Sequence, residues 1–201
     1  NGPGEMGDAL VAVSLGSGRL AVGLSAGGFH TCALLDDHSV KCWGYNGRGQ
    51  LGLGDAQDRG DDGGEMGDAL PAVGLGAGRT VLSLSRGFSD DTCAVLDDAS
   101  LKCWGDNSYG QLGLGDSQYR GDDAGELGSA LPAVDLGLGR SPVAVATEST
   151  RPPHDRSTSQ TQSRPHHRGG VISPVVESRR PWDNRVNSGG WVGRQSGSTS
   201  A

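Results

Sequence analysis

Short apolar stretches separated by glycines and acidic residues run through the chain up to about residue 146, and their spacing is that of strands. Leu20-Ala21-Val22-Gly23-Leu24 alternates as a half-buried strand does, and so does Thr80-Val81-Leu82-Ser83-Leu84. Cys32-Ala33-Leu34-Leu35 and Ser39-Val40-Lys41-Cys42-Trp43 flank the polar cluster Asp36-Asp37-His38, the pattern of a β-hairpin. A pairing centred on Asp37 sets Cys32 opposite Cys42 and Leu34 opposite Val40, all on one face of the sheet. The same pattern returns around Asp98, with Cys93 opposite Cys103. The stretch from Gly44 to Asp55 holds too many glycines for a helix or a long strand. It predicts tight chain reversals, with Leu51 and Leu53 pinning the loop to a neighbouring unit.

These elements belong to an internal repeat. Glu5-Met6-Gly7-Asp8-Ala9-Leu10 recurs from Glu65 and, altered, from Glu126, at offsets of 60 and 61 residues. Thr31-Cys32-Ala33-Leu34-Leu35-Asp36-Asp37 matches Thr92-Cys93-Ala94-Val95-Leu96-Asp97-Asp98, and Gly49–Asp55 matches Gly110–Asp116 letter for letter. The chain therefore divides into repeat 1 (5–64), repeat 2 (65–125) and a partial repeat 3 (126–146), together spanning 1–146, followed by a tail (147–201). The one-residue length difference falls between Leu84 and Thr92 and predicts a loop or bulge there. Repeat units bury their faces against neighbours.

The run from His30 to Asp55, reading HTCALLDDHSVKCWGYNGRGQLGLGD, resembles the repeat of the regulator of chromosome condensation family. The likeness covers roughly residues 10–146. It implies an all-β fold, a partial β-propeller of four-stranded antiparallel blades: two full blades and part of a third. Trp43, Gly44, Gln50, Leu51 and Gly52, with Trp104, Gly105, Gln111, Leu112 and Gly113, are the implied blade-packing signature. His30 is implied to bridge strands within its own blade, and its counterpart in repeat 2 is Asp91. Two repeats and a fraction do not close a propeller of four to eight blades, so additional blades from missing sequence are an expectation. Blades are shared across such a family and functions are not.

Composition sharpens this reading. Glycine supplies 36 of the 201 residues and aromatics only 4%, too few large side chains for a conventional core. Up to Ala146 there are nine Lys and Arg against twenty Asp and Glu, a charge of −11; beyond it, eight Arg against four acids give +4. The acidic repeats exclude a nucleic-acid footprint on these blades. No stretch approaches eighteen apolar residues, so no membrane span is expected. The chain enters the repeat within a few residues of Asn1 and without Met. That is read as a lost N-terminus, so the lack of a signal peptide says little about compartment. The tail is rich in Ser, Arg, Pro and Gly and is expected to be disordered, as a linker or as residues read from a wrong frame.

Four cysteines are the sharpest chemical feature. Their ten-residue spacing is unlike that of zinc ligands, and no Cys-x-x-Cys is present. One cross-strand disulfide per repeat, Cys32 with Cys42 and Cys93 with Cys103, fits the repeat symmetry; free buried thiols and a metal site are the alternatives. Oxidised pairs would favour an extracellular or cell-surface location; localisation is otherwise unknown. The acidic loops from Asp55 to Asp68 and Asp116 to Glu126 have the oxygen density of a calcium site but not the spacing of one, and predict solvated loops. No nucleophile elbow or phosphate-binding loop is present, and neither repeat histidine recurs. No catalytic residue, cofactor or metal is expected. The function expected is a non-enzymatic protein-interaction module with an unknown protein partner. The alternatives are exchange regulation of a small GTPase, by family analogy, and a secreted or cell-surface binding or inhibitory propeller.

Overall fold

The computed structural model describes residues 7–146 apart from 86 and 88. The expected disordered tail, 147–201, lies outside the described residues.

Among the described residues, six strands form two antiparallel sheets of three. β1 (Ala21–Ala26), β2 (His30–Leu35) and β3 (Val40–Gly44) make the first, and β4 (Val81–Leu84), β5 (Asp91–Leu96) and β6 (Leu101–Gly105) the second, each a simple meander. The hairpin register follows from the alternation. Cys32 pairs with Cys42 and Leu34 with Val40, and Cys93 pairs with Cys103 and Val95 with Leu101. In the first hairpin the His38 amide donates to the Leu35 carbonyl, and His38 follows with φ of 64°. Ala99 holds the same place with φ of 62°. A type I turn closed by one left-handed residue has the twist that antiparallel strands need. Both repeats bulge in the same place, between Ala21 and Gly23 and between Val81 and Ser83. The extra residue of repeat 2 sits in the loop before β5.

The four-stranded blade is corrected to three strands and one bridge. Gly44 and Arg59 exchange both backbone hydrogen bonds, as do Gly105 and Arg120. The ladder ends there because the next amides are taken by side chains. Asn46 N–H donates to the Asp58 carboxylate and Gly60 N–H to the Glu65 carboxylate. In repeat 2 the Gly121 amide donates likewise to Glu126.

Repeats 2 and 3 each begin with an arm that packs on the hairpin of the repeat before it. In the arm of repeat 2, Leu70, Val73 and Leu75 are buried, and the Val73 amide donates to the Val40 carbonyl. In repeat 3, Leu131 is buried and the Val134 amide donates to the Leu101 carbonyl. The main apolar core therefore belongs to neither sheet alone: Cys32, Val40, Cys42 and Leu51 of repeat 1 pack with Val73, Leu96 and Trp104 of repeat 2 and with Leu131 of repeat 3. A second core holds Cys93, Leu101, Cys103, Leu112 and Val145. This is how a chain with few aromatics folds, by sharing each core between consecutive units.

Candidate interaction face

Disulfides join Cys32 to Cys42 and Cys93 to Cys103 within their hairpins. All four residues are buried. Trp104 is fully buried and its indole N–H donates to the Gln50 carbonyl of repeat 1 at 3.1 Å. Trp43, at the equivalent position, is only half-buried. Gly44 and Gly105 carry positive φ at the strand ends, where a Cβ would lie 2.5 Å from the Phe29 carbonyl oxygen and 2.6 Å from that of Asp90. A Cβ on Gly52 would lie 2.7 Å from the Trp104 Nε1, so glycine there lets the repeats approach. Leu51 and Leu112 are fully buried anchors, and the Gln50 and Gln111 side chains accept from the amides of Arg48 and Tyr109. Gly113 carries a φ of 70°.

The loop depends equally on Asn46 and Asn107, which the signature above omits. Asn46 is fully buried; its amide nitrogen donates to Asp55 and its oxygen accepts from the Leu51 amide. Asn107 repeats this with Asp116 and Leu112. Their recurrence at the same step of both repeats was the available signal. The acidic loop residues are used in the same local manner: Asp55 pairs with Arg59 and Asp116 with Arg120.

His30 does not bridge its own blade. Its Nε2 lies 2.8 Å from the Thr92 hydroxyl of repeat 2, and that hydroxyl donates to the Gln50 carbonyl at 3.3 Å. With the hydroxyl proton so used, Nε2 carries the hydrogen and donates. Burial lowers the His30 pKa to about 4, so the ring is neutral at neutral pH. Its counterpart Asp91 is buried with Oδ2 lacking a partner among the described residues. Burial, helped by the charges of Asp106 and Asp90, raises the Asp91 pKa to about 7.

The two shifts act oppositely on stability. Asp91 holds a proton in the fold that it loses when unfolded, so its contribution falls as pH rises from 3.8 to about 7. His30 rejects in the fold a proton it takes up when unfolded, so its contribution falls as pH drops from 6.5 to about 4. Between those limits the slopes, each about 1.4 kcal/mol per pH unit, cancel. Relative to the wild type, Asp91→Asn is expected to gain stability with rising pH across this window, and His30→Gln to lose it. Urea midpoints at several pH values check both signs.

Beside these groups lies a cleft of about 440 Å³ between the repeats, lined by Phe29, Tyr45, Arg48 and Asp90. Phe29 and Tyr45 meet edge to face, with ring centroids 6.5 Å apart. The Arg48 guanidinium forms an ion pair with Asp106 of repeat 2 and lies 5.7 Å from the centre of the Tyr119 ring. Burial raises the Asp90 pKa and Arg48 opposes the rise. Phe29 is 75% exposed and Tyr109 60%. Among the described residues no His, Cys, Asp and Glu cluster is arranged to hold a metal ion, and no helix is long and apolar enough to cross a membrane.

The cleft falls where the two repeats diverge most in chemistry. Phe29 corresponds to Asp90, Tyr45 to Asp106, Arg48 to Tyr109 and Asp58 to Tyr119, whereas the glycines, cysteines, tryptophans and buried leucines of the framework repeat. A duplicated unit that keeps its frame and changes one face has the form of a repeat protein with a specialised surface.

Fold and face together define a repeat protein of consecutive, disulfide-closed β-meanders. The sequence profile of the "Regulator of chromosome condensation (RCC1) repeat" matches residues 21–50 and 92–111, so these two segments carry repeats of that family. It is 34% identical over 98 residues to the Ultraviolet-B receptor UVR8 of Arabidopsis thaliana, covering 48% of this chain and 20% of that protein. It is 40% identical over 87 residues to the X-linked retinitis pigmentosa GTPase regulator of Mus musculus, covering 43% of this chain and 8% of that one. It is 29% identical over 103 residues to the human E3 ubiquitin-protein ligase HERC2, covering 50% and 2%. The chain thus spans a fifth or less of these relatives' lengths. Among solved structures, human WBSCR16 aligns with a TM-score of 0.49 at 21% identity, over 64% of this chain and 29% of that one. Prp20p of Saccharomyces cerevisiae, described with its binding to Gsp1p and histones, aligns with a TM-score of 0.48 at 16% identity, over 67% and 30%.

Proposed function

We propose that this chain is a non-enzymatic protein-interaction module, two blades of a β-propeller with the start of a third, which presents the Phe29–Tyr45–Arg48 face to a protein partner. The observation that carries this is the divergence of the repeats at that face, where Phe29 and Tyr45 stand in place of Asp90 and Asp106, and Arg48 in place of Tyr109. Tyr, Phe and Arg are the residue types that dominate binding energy at protein interfaces. The acidic surround favours a partner with basic or polar groups at its rim. Two buried disulfides support an oxidising setting.

Phe29 is largely exposed and Tyr45 42% exposed, so the double variant Phe29→Ala/Tyr45→Ala is expected to keep its stability. Cross-linking in extracts of the native source, with wild type and variant side by side, tests the proposal. A partner that the variant loses by at least about tenfold, a loss of roughly 1.4 kcal/mol, supports it. A partner held equally by both forms places binding elsewhere.

A further inference from the structure

The loops that precede β2 and β5 are held side by side across the two repeats. The Gly28 amide donates to the Ser89 carbonyl at 3.0 Å. The residues that follow, Phe29 and Asp90, are pinned alike: their carbonyls accept from the Tyr45 and Asp106 amides, each at 2.9 Å. Equivalent positions of two repeats thus set an aromatic ring and a half-buried carboxylate on the walls of one cleft, with Tyr45 and Arg48 as its other walls. The Phe29 and Tyr45 rings stand at 81° to each other.

One guanidinium is already held beside this cleft. Arg48 pairs with the Asp106 carboxylate of the next repeat and lies 5.7 Å from the centre of the Tyr119 ring. That arrangement is complete. Asp106 Oδ2 accepts from Arg48, and its Oδ1 accepts from the Ser108 amide and hydroxyl at 2.9 and 2.6 Å. Asp90 sets a second carboxylate beside a second group of rings, so two carboxylates stand here against the one guanidinium that Asp106 engages. An apolar guest would bury Asp90 further and give it no donor, at a cost in desolvation. A lysine would be attracted, but its ammonium is compact, strongly hydrated and gains less from the rings. A guanidinium is planar and weakly hydrated, lies on aromatic faces and gives one carboxylate two parallel N–H donors.

Resting on the reading of this face as a partner-binding surface, we propose that the cleft receives an arginine side chain of the protein partner. Its guanidinium donates to the Asp90 carboxylate and lies against Phe29 and Tyr45. Arg48 and Asp106 form the neighbouring wall and keep their own pairing. The partner therefore brings one exposed arginine to the centre of the contact, where charge and aromatic surface coincide. General basicity at its rim does not replace that residue.

The test follows backbone amide shifts of the full chain by nuclear magnetic resonance as a capped glycine-arginine-glycine peptide is added, with lysine and citrulline counterparts beside it. Saturable shifts confined to the loops around Phe29, Tyr45 and Asp90 are expected at millimolar peptide. Binding is expected to be at least about tenfold weaker for the citrulline peptide and for Asp90→Asn, and severalfold weaker for the lysine peptide. Asp62→Asn removes a charge from an exposed loop outside the cleft and is expected to leave the affinity unchanged. Lysine bound as tightly as arginine, or Asp62→Asn as damaging as Asp90→Asn, would reduce the effect to diffuse charge attraction and overturn the proposal. So would the absence of saturable shifts. Binding that appears only in Arg86→Ala assigns the cleft to an arginine of this chain and overturns it as well. Cross-linking in extracts separates this proposal from the reading beneath it. A partner lost by both Phe29→Ala/Tyr45→Ala and Asp90→Asn supports the arginine. A partner lost by the aromatic variant and held by Asp90→Asn keeps the face and overturns the arginine. A partner held by both variants overturns the face itself.

Discussion

Replacing Trp104 with alanine is expected to destabilise the two-repeat unit by about 3–5 kcal/mol, the usual cost of emptying a buried indole site. The residue is fully enclosed in the core that joins Leu51 and Val40 of repeat 1 to Val73 and Leu96 of repeat 2. Its loss opens a cavity at the junction and leaves the Gln50 carbonyl with the Thr92 hydroxyl as its donor. Trp104→Phe keeps much of the packing and removes the indole hydrogen bond, so it is expected to cost distinctly less. Trp43→Ala is the internal control. The same residue type at the same repeat position is half-buried, so its removal is expected to cost less than half as much. Urea unfolding followed by circular dichroism ranks the three. An equal cost for Trp43 and Trp104 would show that the tryptophans act within each hairpin and that the shared core contributes little.

That contrast marks where sequence reading reached its limit. The period-two alternation and the acidic turns were enough to place both hairpins and their register, because a one-residue slip would turn Cys32, Leu34, Val40 and Cys42 out of the core. The internal repeat was legible for the same reason, since the letters themselves recur. Trp43 and Trp104 look alike in the sequence, and only the neighbour each one meets separates them. His30 was misplaced on this ground. Its partner Thr92 lies 62 residues away, a separation that no local pattern reports. The cleft was missed likewise: Arg48 meets Asp106 across 58 residues, and Phe29, Tyr45 and Asp90 come together only when two units stack. The expected fourth strand failed for a local reason. After Gly44 the chain is dense in Asn, Asp and Glu, whose side chains capture the amides that a further strand would need. Acidic loop residues that invited a calcium reading were, in the fold, the partners of those amides.

Removal of the two disulfides is the other large effect, and the fold predicts unequal consequences for them. Each closes a loop between cysteines 10 residues apart. Such a loop contributes on the order of 2–3 kcal/mol through the unfolded chain. Because the sulfurs are buried, a thiol reductant reaches them only when the hairpin opens. Reduction in native buffer is therefore expected to be slow and to accelerate steeply in mild urea, followed by mass analysis of alkylated thiols. Cys32 and Cys42 lie in the core that both repeats share, whereas Cys93 and Cys103 lie in the second core with Leu112 and Val145. The double variant Cys32→Ala/Cys42→Ala is expected to loosen the junction as well as its own hairpin, speeding amide exchange at Val73 and Leu96. Cys93→Ala/Cys103→Ala is expected to speed exchange around Leu101 and Leu112 while Val73 stays protected. Rapid reduction of both pairs in native buffer, with circular dichroism unchanged, would show that arm packing alone holds the hairpins. Exchange that rises equally everywhere in both variants would instead show that the two cores unfold as one unit, with stability set by the whole stack.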